Sequence, residues 1–495
     1  MKRNLCFKYF LLMFCMAFAM ISCHDDDEKV ELANLTVNGG RDFVSTNSKG
    51  RSVQLEINST TPWQLDLQEA PEWLTVDKLS GAAGKSTVTL TLSDNTGEAR
   101  HHEIAFTNGQ DNIAFTVQQS AANADFDTAP DYYFYVTFGS MPTLYAGLHL
   151  LSHDKPSYFF YERVNTFDKD LLPSHAVYVE GPRDNVKSVI MQKILEINAK
   201  EPDAVFGFQM DDLRARLGHD FFVKQGIDSS RVKVTMLSDG TGTYNEFYKA
   251  FGDAAGGETA WNEYKTLIDG LDWDATHPMQ PEEGTEFESF NWAYYLSTCP
   301  NYKLQLQDAS LLETENSFVK DEIQKMKSVT VTPLELLNRL SPERQAEFYK
   351  MSSFDKGYFE DLFAASSKPN LVIIGTNTGA GVEGASPEDQ HRYVEQIMEK
   401  YGETHDVFFK PHPSDEASKE YDKEFPGLTL LPGQMPFEIF VWSLNDQIDM
   451  IGGFSSTVFL TVPVEKVKFI FGATPETIIR PLNLLFKDAD IEWMN

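Results

Sequence analysis

Beyond about residue 132, short apolar runs alternate with segments in which apolar residues recur at helical spacing. This alternation is typical of parallel α/β architecture, because each helix carries the chain back to the start of the next parallel strand. A mainly helical region interrupts the series at about residues 308–365. The sequence therefore predicts two Rossmann-like units with a cleft between them, where ligands bind at the carboxyl ends of the strands. The runs that we expect to form strands are 132–137, 177–179, 205–208, 232–237, 371–374, 407–409, 428–431, 448–451 and 467–471.

Residues 31–120 follow a different pattern, in which apolar and polar residues alternate one by one. Val53, Leu55 and Ile57 show this alternation, and turn-forming clusters such as 47–50 and 95–97 separate the runs. A chain of 495 residues is too long for one core, so separate domains are expected. The pattern predicts a small antiparallel β-sandwich of the immunoglobulin-like kind, which we interpret as a spacer.

The N-terminus has the pattern of a bacterial lipoprotein signal. Lys2 and Arg3 precede an apolar stretch that ends in Ser22-Cys23. Secretion signals end in small residues, and in lipoproteins cleavage falls before a cysteine that then receives the lipids. We therefore expect residues 1–22 to be the signal, Cys23 to be lipidated and the acidic residues 23–30 to form a tether, giving a lipoprotein anchored to the outer membrane or cell surface. A plain transmembrane anchor or an ordinary signal peptide is the alternative.

Charge and cysteine content narrow the range of partners. The formal net charge of −32 argues against nucleic acid and against anionic lipid surfaces. Cys6 and Cys15 lie in the expected signal and Cys23 would carry lipid, so Cys299 alone remains in the mature chain. An intramolecular disulfide and a multi-cysteine zinc site are thereby excluded.

Three segments at predicted strand ends carry residues suited to chemistry. Ser238-Asp239-Gly240 places a carboxylate where it could act as a general base, although Asp-Gly is also a common turn. Lys410-Pro411-His412-Pro413 holds an imidazole between two prolines, although a lone loop histidine is usually just exposed. In 452–456, two glycines precede Ser455 and Ser456, which suit a phosphate but equally a helix N-cap.

The three segments taken together, in this order, are more specific than any one of them. They resemble the bacterial sialyltransferases of glycosyltransferase family 80, and the resemblance extends over most of residues 132–495. Ser140-Met141-Pro142 and Pro436-Phe437-Glu438 also look like family sequence. Residues 31–120, with Trp63 and Trp73, resemble the BACON domain of Bacteroidetes proteins, in which we expect the tryptophans to pack in the core.

The family resemblance implies a GT-B fold with separate domains for the acceptor and the donor. An acceptor domain would span 125–300, a donor domain 301–475, and residues 476–495 would return to the first unit. The implied reaction is a metal-independent inverting transfer without cofactor, from CMP-sialic acid or a related CMP-nonulosonic acid to a glycan hydroxyl. The implied roles are Asp239 as base, His412 as acid, Ser455 and Ser456 on the phosphate, Glu438 on the ribose, and Lys410, Pro413 and Gly375 around the cytidine.

Departures from the family pattern lie on the acceptor side. Ser238 replaces the first acidic residue of the base motif, Thr137 replaces an aspartate after the first strand, and Gly379 replaces a tryptophan. These changes predict an acceptor other than a plain lactose-like galactoside. Two alternatives stay open at this point: a catalytically inactive surface glycan-binding lipoprotein, and a transferase for another CMP-sugar.

Overall fold

The computed structural model of the chain describes residues 35–122, 124, 129–212, 219–270, 293–381 and 383–495. The expected signal, Cys23 and the acidic tether lie outside these ranges. Within them, no helix combines the length and the apolar character needed to cross a bilayer.

The N-terminal part is a β-sandwich, as predicted. A four-stranded sheet has the order β1-β3-β7-β5 and a five-stranded sheet the order β2-β9-β8-β4-β6. Trp63 is 1% exposed in the core between them, and its Nε1 donates to Ser86 Oγ at 3.1 Å. The half-buried Trp73 packs against the Arg100 guanidinium, 4.6 Å from its ring centroid. The strands are β1 (Leu35–Val37), β2 (Phe43–Thr46), β3 (Arg51–Ser59), β4 (Trp63–Asp66), β5 (Leu74–Val76), β6 (Ser80–Gly81), β7 (Gly84–Leu92), β8 (Arg100–Thr107) and β9 (Asn112–Gln119).

The sandwich is docked on the α/β part rather than held at a distance from it. Phe43 of β2 is buried in the core of the first α/β unit. Asp42 pairs with Lys320 at 3.1 Å, and Arg51 forms an ion pair with Glu335. Glu335 also completes a capping box with Thr332, so a single carboxylate serves both a helix start and the domain contact. The sandwich therefore packs against the α/β part, and its role as a spacer stays a prediction.

The first α/β unit is built on seven parallel strands in the order β12-β11-β10-β13-β14-β15-β16. Two of these strands follow residue 301, so the first unit extends past the boundary expected there, because β15 and β16 hydrogen-bond in parallel to β14 and to each other. The strands are β10 (Tyr132–Thr137), β11 (Ser157–Tyr161), β12 (Ala176–Tyr178), β13 (Phe206–Asp211), β14 (Val232–Leu237), β15 (Tyr302–Leu306) and β16 (Ser328–Thr330). The helices are α1 (Ser140–Leu150), α2 (Arg183–Lys200), α3 (His219–Lys224), α4 (Thr241–Phe251), α5 (Gly257–Asp269), α6 (Ala293–Leu296) and α7 (Ser317–Lys325).

The second α/β unit has six parallel strands in the order β19-β18-β17-β20-β21-β22. Three connecting helices precede it: α8 (Pro333–Arg339), α9 (Pro342–Met351) and α10 (Lys356–Ala364). The strands are β17 (Asn370–Ile374), β18 (Asp406–Lys410), β19 (Leu428–Leu430), β20 (Met450–Phe454), β21 (Val467–Phe471) and β22 (Glu492–Met494). The helices are α11 (Pro387–Tyr401), α12 (Tyr421–Glu424), α13 (Phe437–Leu444) and α14 (Leu482–Leu485).

One apolar core joins the two α/β units. Tyr135 and Leu237 from the first sheet belong to the same buried cluster as Ile374 and Ile451 from the second. The final segment adds a second connection, because Arg480 pairs with Glu313 before β22 joins β21 in parallel. The chain thus contacts the first unit, as expected for 476–495, but ends in the second sheet. Both sheets direct their strand ends towards a common cleft.

Candidate active site

Asp239 lies at the carboxyl end of β14, in the loop that leads into α4. Its Oδ1 is so close to Gly139 that a Cβ atom placed there would lie 2.0 Å away. Residue 139 must therefore be glycine if the carboxylate is to hold this position. Since Gly139 directly precedes Ser140, the first residue of α1, the Asp239 carboxylate lies beside the start of that helix.

The loop of Asp239 contacts the loop of the serine pair directly. Gly240 has a positive φ of 68°, and a Cβ atom there would meet Thr457 Cγ2 at 2.2 Å. The Thr241 hydroxyl lies 3.1 Å from the Thr457 hydroxyl, and the Thr241 amide donates to the latter at 3.3 Å. The Asp-Gly pair is therefore a turn, but one that joins the two α/β units where Ser456 precedes Thr457.

Two buried aspartates brace this region, and neither was predicted from the sequence. Asp211 Oδ2 accepts the Gly139 amide at 2.9 Å. Asp212 Oδ2 accepts the Thr243 hydroxyl at 2.6 Å, and its Oδ1 accepts the Asp239 amide at 3.3 Å. Asp211 is the last residue of β13 and Asp212 follows it directly, and this position at the end of an apolar strand is the one sequence signal that could have marked them. They are positioning residues for the Asp239 loop.

His412 follows β18 on the opposite side of the cleft and is exposed. Its Nδ1 accepts the Ser414 amide at 3.2 Å and lies 2.8 Å from the Ser414 hydroxyl. Since an amide nitrogen can only donate, the neutral imidazole carries its proton on Nε2. Although the residue is exposed, partial desolvation of its ring by the surrounding loops and the nearby cations Lys410 and Arg163 lower the pKa of His412.

Lys410 is the last residue of β18 and is 3% exposed. Its ammonium donates to Pro411 O at 2.8 Å and to Gly433 O at 3.0 Å, so it fixes the His412 loop against the segment before α13. Burial lowers the pKa of Lys410 to about 8, against an opposing effect of Glu438. The ammonium is therefore both a structural tie and a positive charge at the bottom of the cleft.

Glu438 lies in the first turn of α13, where a carboxylate is favoured by the helix dipole. Burial raises the pKa of Glu438, and the charge of Lys410 opposes that effect. This carboxylate is thus poorly hydrated, and hydroxyl groups of a ligand would relieve that condition by donating to it.

The serine pair follows β20, which approaches β17 closely. Gly453 has a φ of 132°, and a Cβ atom there would lie 2.2 Å from Ile374 O. Ser455 is exposed, whereas Ser456 accepts the Val458 amide at 3.4 Å. The element that Ser456 caps is a short 3-10 helix, Thr457–Leu460, so the helix expected there amounts to a single turn. The serine hydroxyls, rather than a helix dipole, are what this loop offers a ligand.

A cavity of about 490 Å³ lies where these loops meet. Six of the eight residues predicted for the site line it: Gly375, Lys410, His412, Pro413, Glu438 and Ser456. Asp239 and Ser455 are not among the residues that line it. The Asp239 carboxylate lies beside Gly139, the chain neighbour of Ser140, which does line the cavity, and Ser455 directly precedes Ser456. Arg163, after β11, also lines the cavity and was missed, because nothing in its sequence neighbourhood marks it.

The three departures from the family pattern have different surroundings. Ser238 is fully buried and donates to Thr243 Oγ1 at 3.1 Å, the oxygen that also accepts the Asp239 amide. Thr137 is buried with its hydroxyl 2.8 Å from that of Thr143, which donates to Gly139 O at 2.7 Å. Ser238 therefore supports the Asp239 loop, and Thr137 supports the start of α1 beside it. Gly379 is exposed in a turn after β17.

Comparison with known solved structures shows the fold. The 2,6-sialyltransferase of Photobacterium sp. JT-ISH-224, solved with CMP and lactose, has a TM-score of 0.55 at 16% identity, over 91% of this chain and 96% of that one. The α/β-galactoside α-2,3-sialyltransferase of Photobacterium phosphoreum gives 0.55 at 17% identity, over 74% and 99%. The GT-B domain of the Photobacterium damselae sialyltransferase gives 0.55 at 20% identity, over 74% and 100%. The predicted GT-B fold is confirmed.

Sequence comparison gives the family. A search of curated proteins returned no match. The BACON model matches residues 61–120, which confirms the predicted domain type and lies within the predicted range 31–120. The alpha-2,8-polysialyltransferase model matches residues 182–465, more than half of the chain. The alternative of an inactive glycan-binding lipoprotein gains no support from these matches. The chain is a sialyltransferase-like enzyme that belongs to the alpha-2,8-polysialyltransferase family.

Proposed function

We propose that this enzyme transfers sialic acid, or a related nonulosonic acid, from its CMP-activated form to a glycan hydroxyl by one inverting displacement. The observation that carries the proposal is the contact of the Asp239 loop with the serine-pair loop, at the edge of a cavity lined by His412 and Glu438. A single displacement needs a base and an acid on opposite sides of the reacting carbon. Here the two groups come from different α/β units.

On the acceptor side, Asp239 takes the proton from the attacking hydroxyl as the new glycosidic bond forms. Its position depends on Asp212, which holds its amide, and on Gly139, which leaves space for its carboxylate. The geometry fixes the base before substrate arrives, so little reorganisation accompanies the reaction.

On the donor side, His412 protonates the phosphate as the bond from that phosphate to the sugar breaks. Negative charge on a bound CMP-sugar counters the lowering of the His412 pKa by Lys410 and Arg163. The Ser414 hydroxyl can then accept from a protonated Nδ1. Ser455 and Ser456 donate to the phosphate, while Gly375, Lys410 and Pro413 surround the cytidine. These groups neutralise the leaving phosphate without a metal or a cofactor.

The role of Glu438 gives a direct test of nucleotide binding. If its carboxylate accepts the ribose hydroxyls, the purified full-length protein binds CMP about 10–100-fold more tightly than 2′,3′-dideoxy-CMP, since hydrogen bonds to a charged group are strong. Glu438→Gln removes most of that difference. Isothermal titration calorimetry with both nucleotides measures it.

A matched control is Glu395→Gln, an exposed change on α11 that keeps the full preference for CMP. An unchanged preference in Glu438→Gln contradicts the assignment of Glu438. A wild-type protein that binds neither nucleotide contradicts the proposed function as a whole.

We also propose that the enzyme is a lipoprotein of the outer membrane or cell surface, held by lipid on Cys23. The support is the sequence Ser22-Cys23 after an apolar stretch, followed by four acidic residues within 24–28. We expect cells fed a labelled fatty acid to label the wild-type chain and not the Cys23→Ala variant, with Cys299→Ala as the matched control. Equal labelling of the Cys23→Ala variant contradicts the anchor.

A further inference from the structure

A second cavity, of about 840 Å³, adjoins the cavity of the active site. The two share four lining residues, Val164, Asn165, Gln434 and Met435. Asn165 comes from the first α/β unit and donates to Gln434 of the second at 2.9 Å. The two cavities are therefore parts of one cleft, and the hydrogen bond between these two side-chain amides lies where the cavities meet.

The second cavity is lined by different chemistry from the first. It contains Tyr161 and Tyr178, whose rings meet edge to face at 4.9 Å, and the carboxylates of Asp168, Asp170 and Glu180. Its single lysine, Lys169, forms an ion pair with Glu180. Three carboxylates and one ammonium leave a formal charge of −2 on the lining.

These surroundings suit sugar hydroxyls and oppose anions. Carboxylates accept hydrogen bonds from hydroxyl groups and repel other negative charges. The half-buried ring of Tyr178 can pack against the C–H face of a sugar, whereas Tyr161 is buried and supports Tyr178 edge to face. The residues that suit a nucleotide and a phosphate, Lys410, Glu438 and Ser456, line only the first cavity. The second cavity thus takes a ligand other than the donor.

We propose that this second cavity is an extended acceptor subsite, which binds the uncharged sugars of an oligosaccharide next to the sugar that reacts. The inference rests on the proposed function, since it needs an acceptor glycan in the same cleft. Its volume is in the range of specific ligand pockets. The enzyme would then add its sugar to a neutral glycan of several residues, and an oligosialic chain, with one carboxylate per sugar, would be disfavoured there.

The test is direct binding of three probes to the CMP-saturated full-length protein by calorimetry. The probes are lacto-N-neotetraose, its non-reducing disaccharide N-acetyllactosamine, and trisialic acid. We expect the tetrasaccharide to bind about tenfold more tightly than the disaccharide, as one or two hydrogen bonds to a carboxylate allow. Trisialic acid is expected to bind more weakly than either.

The double variant Asp170→Lys with Glu180→Lys tests whether the negative charge of the second cavity sets the preference for a neutral glycan. We expect it to lose the preference for the tetrasaccharide and to bind trisialic acid more tightly, with the affinity for CMP unchanged. The matched control, Glu395→Lys with Glu399→Lys on the exposed face of α11, is expected to keep the wild-type order of affinities.

Three results would overturn the subsite: undetectable binding of the tetrasaccharide, equal affinity for tetrasaccharide and disaccharide, or tighter binding of trisialic acid by the wild type. Because CMP binding and hydrolysis of CMP-sialic acid are measured on the same protein, failure of the subsite is distinguished from failure of the proposed function. In the first case CMP still binds. In the second it does not.

Discussion

Replacing Asp239 with alanine is expected to lower the rate of sialyl transfer by about 10²–10⁴-fold, the contribution of a positioned general base. The loss should appear in kcat, because the proton leaves the acceptor hydroxyl only as the new bond forms. The affinity for CMP should be unchanged, since the side chains proposed to face the nucleotide, Lys410, Glu438 and Ser456, line a cavity whose lining does not include Asp239. Initial rates with CMP-sialic acid and a glycan acceptor measure the effect.

The surroundings of Asp239 make the substitution easy to interpret. The hydrogen bonds that hold its loop come from its backbone amide to Asp212 and Thr243, so they survive the loss of the side chain. Asp239→Asn keeps the size of the side chain and removes its basicity, and it should be as slow as the alanine variant. Asp446→Ala, a change of an aspartate outside the cleft, serves as the control. A rate close to wild type in either Asp239 variant would refute the assignment of the base.

The candidate site residues can be proposed from the sequence because each one follows an apolar run at a strand end. Parallel strands end at one edge of a sheet, so the sequence predicts that Asp239, His412 and Ser456 lie near the cleft. The contact between Thr241 and Thr457 could not be foreseen in this way. It depends on how the two sheets pack, and residues 216 positions apart in the chain carry no shared local pattern.

The residues that were not predicted have no distinctive local sequence pattern. Arg163 lies in an irregular loop after β11, a strand whose aromatic run Ser157–Tyr161 does not alternate and gave no clear period. Asp211 and Asp212 look like ordinary polar residues at the end of a strand, and only their burial shows that they hold the Asp239 loop. The domain boundary expected at 301 is wrong because β15 joins β14 and the three-residue β16 joins β15, and these pairings depend on how the sheet assembles rather than on a local pattern.

Replacing His412 with alanine is expected to lower kcat for transfer by about 10²–10⁴-fold, since the leaving phosphate then departs without a proton. The matched control is His405→Ala, a half-buried histidine just before β18 and outside the cavity lining, which should be as active as the wild type. At a donor concentration that saturates the enzyme, transfer by His412→Ala should remain slow, because the expected loss lies in kcat and not in donor binding. Rates near those of the His405 variant would exclude His412 as the acid.

The pH dependence gives His412 a signature that a merely structural residue would not produce. Its pKa in the free enzyme is lowered below the ordinary value of about 6.5 by burial and by Lys410 and Arg163. An acid must be protonated, so kcat/KM for the donor should fall as pH rises through that lowered pKa. Once the anionic donor is bound, its charge raises the pKa, so kcat should hold to a higher pH before it falls. The difference in pH between the two alkaline limbs measures how much the donor charge raises the pKa of His412. Arg163→Ala removes a cation that lowers this pKa, so the alkaline limb of kcat/KM should move to higher pH. Identical limbs for kcat and kcat/KM, or an alkaline limb unmoved in Arg163→Ala, would mean that another group supplies the proton.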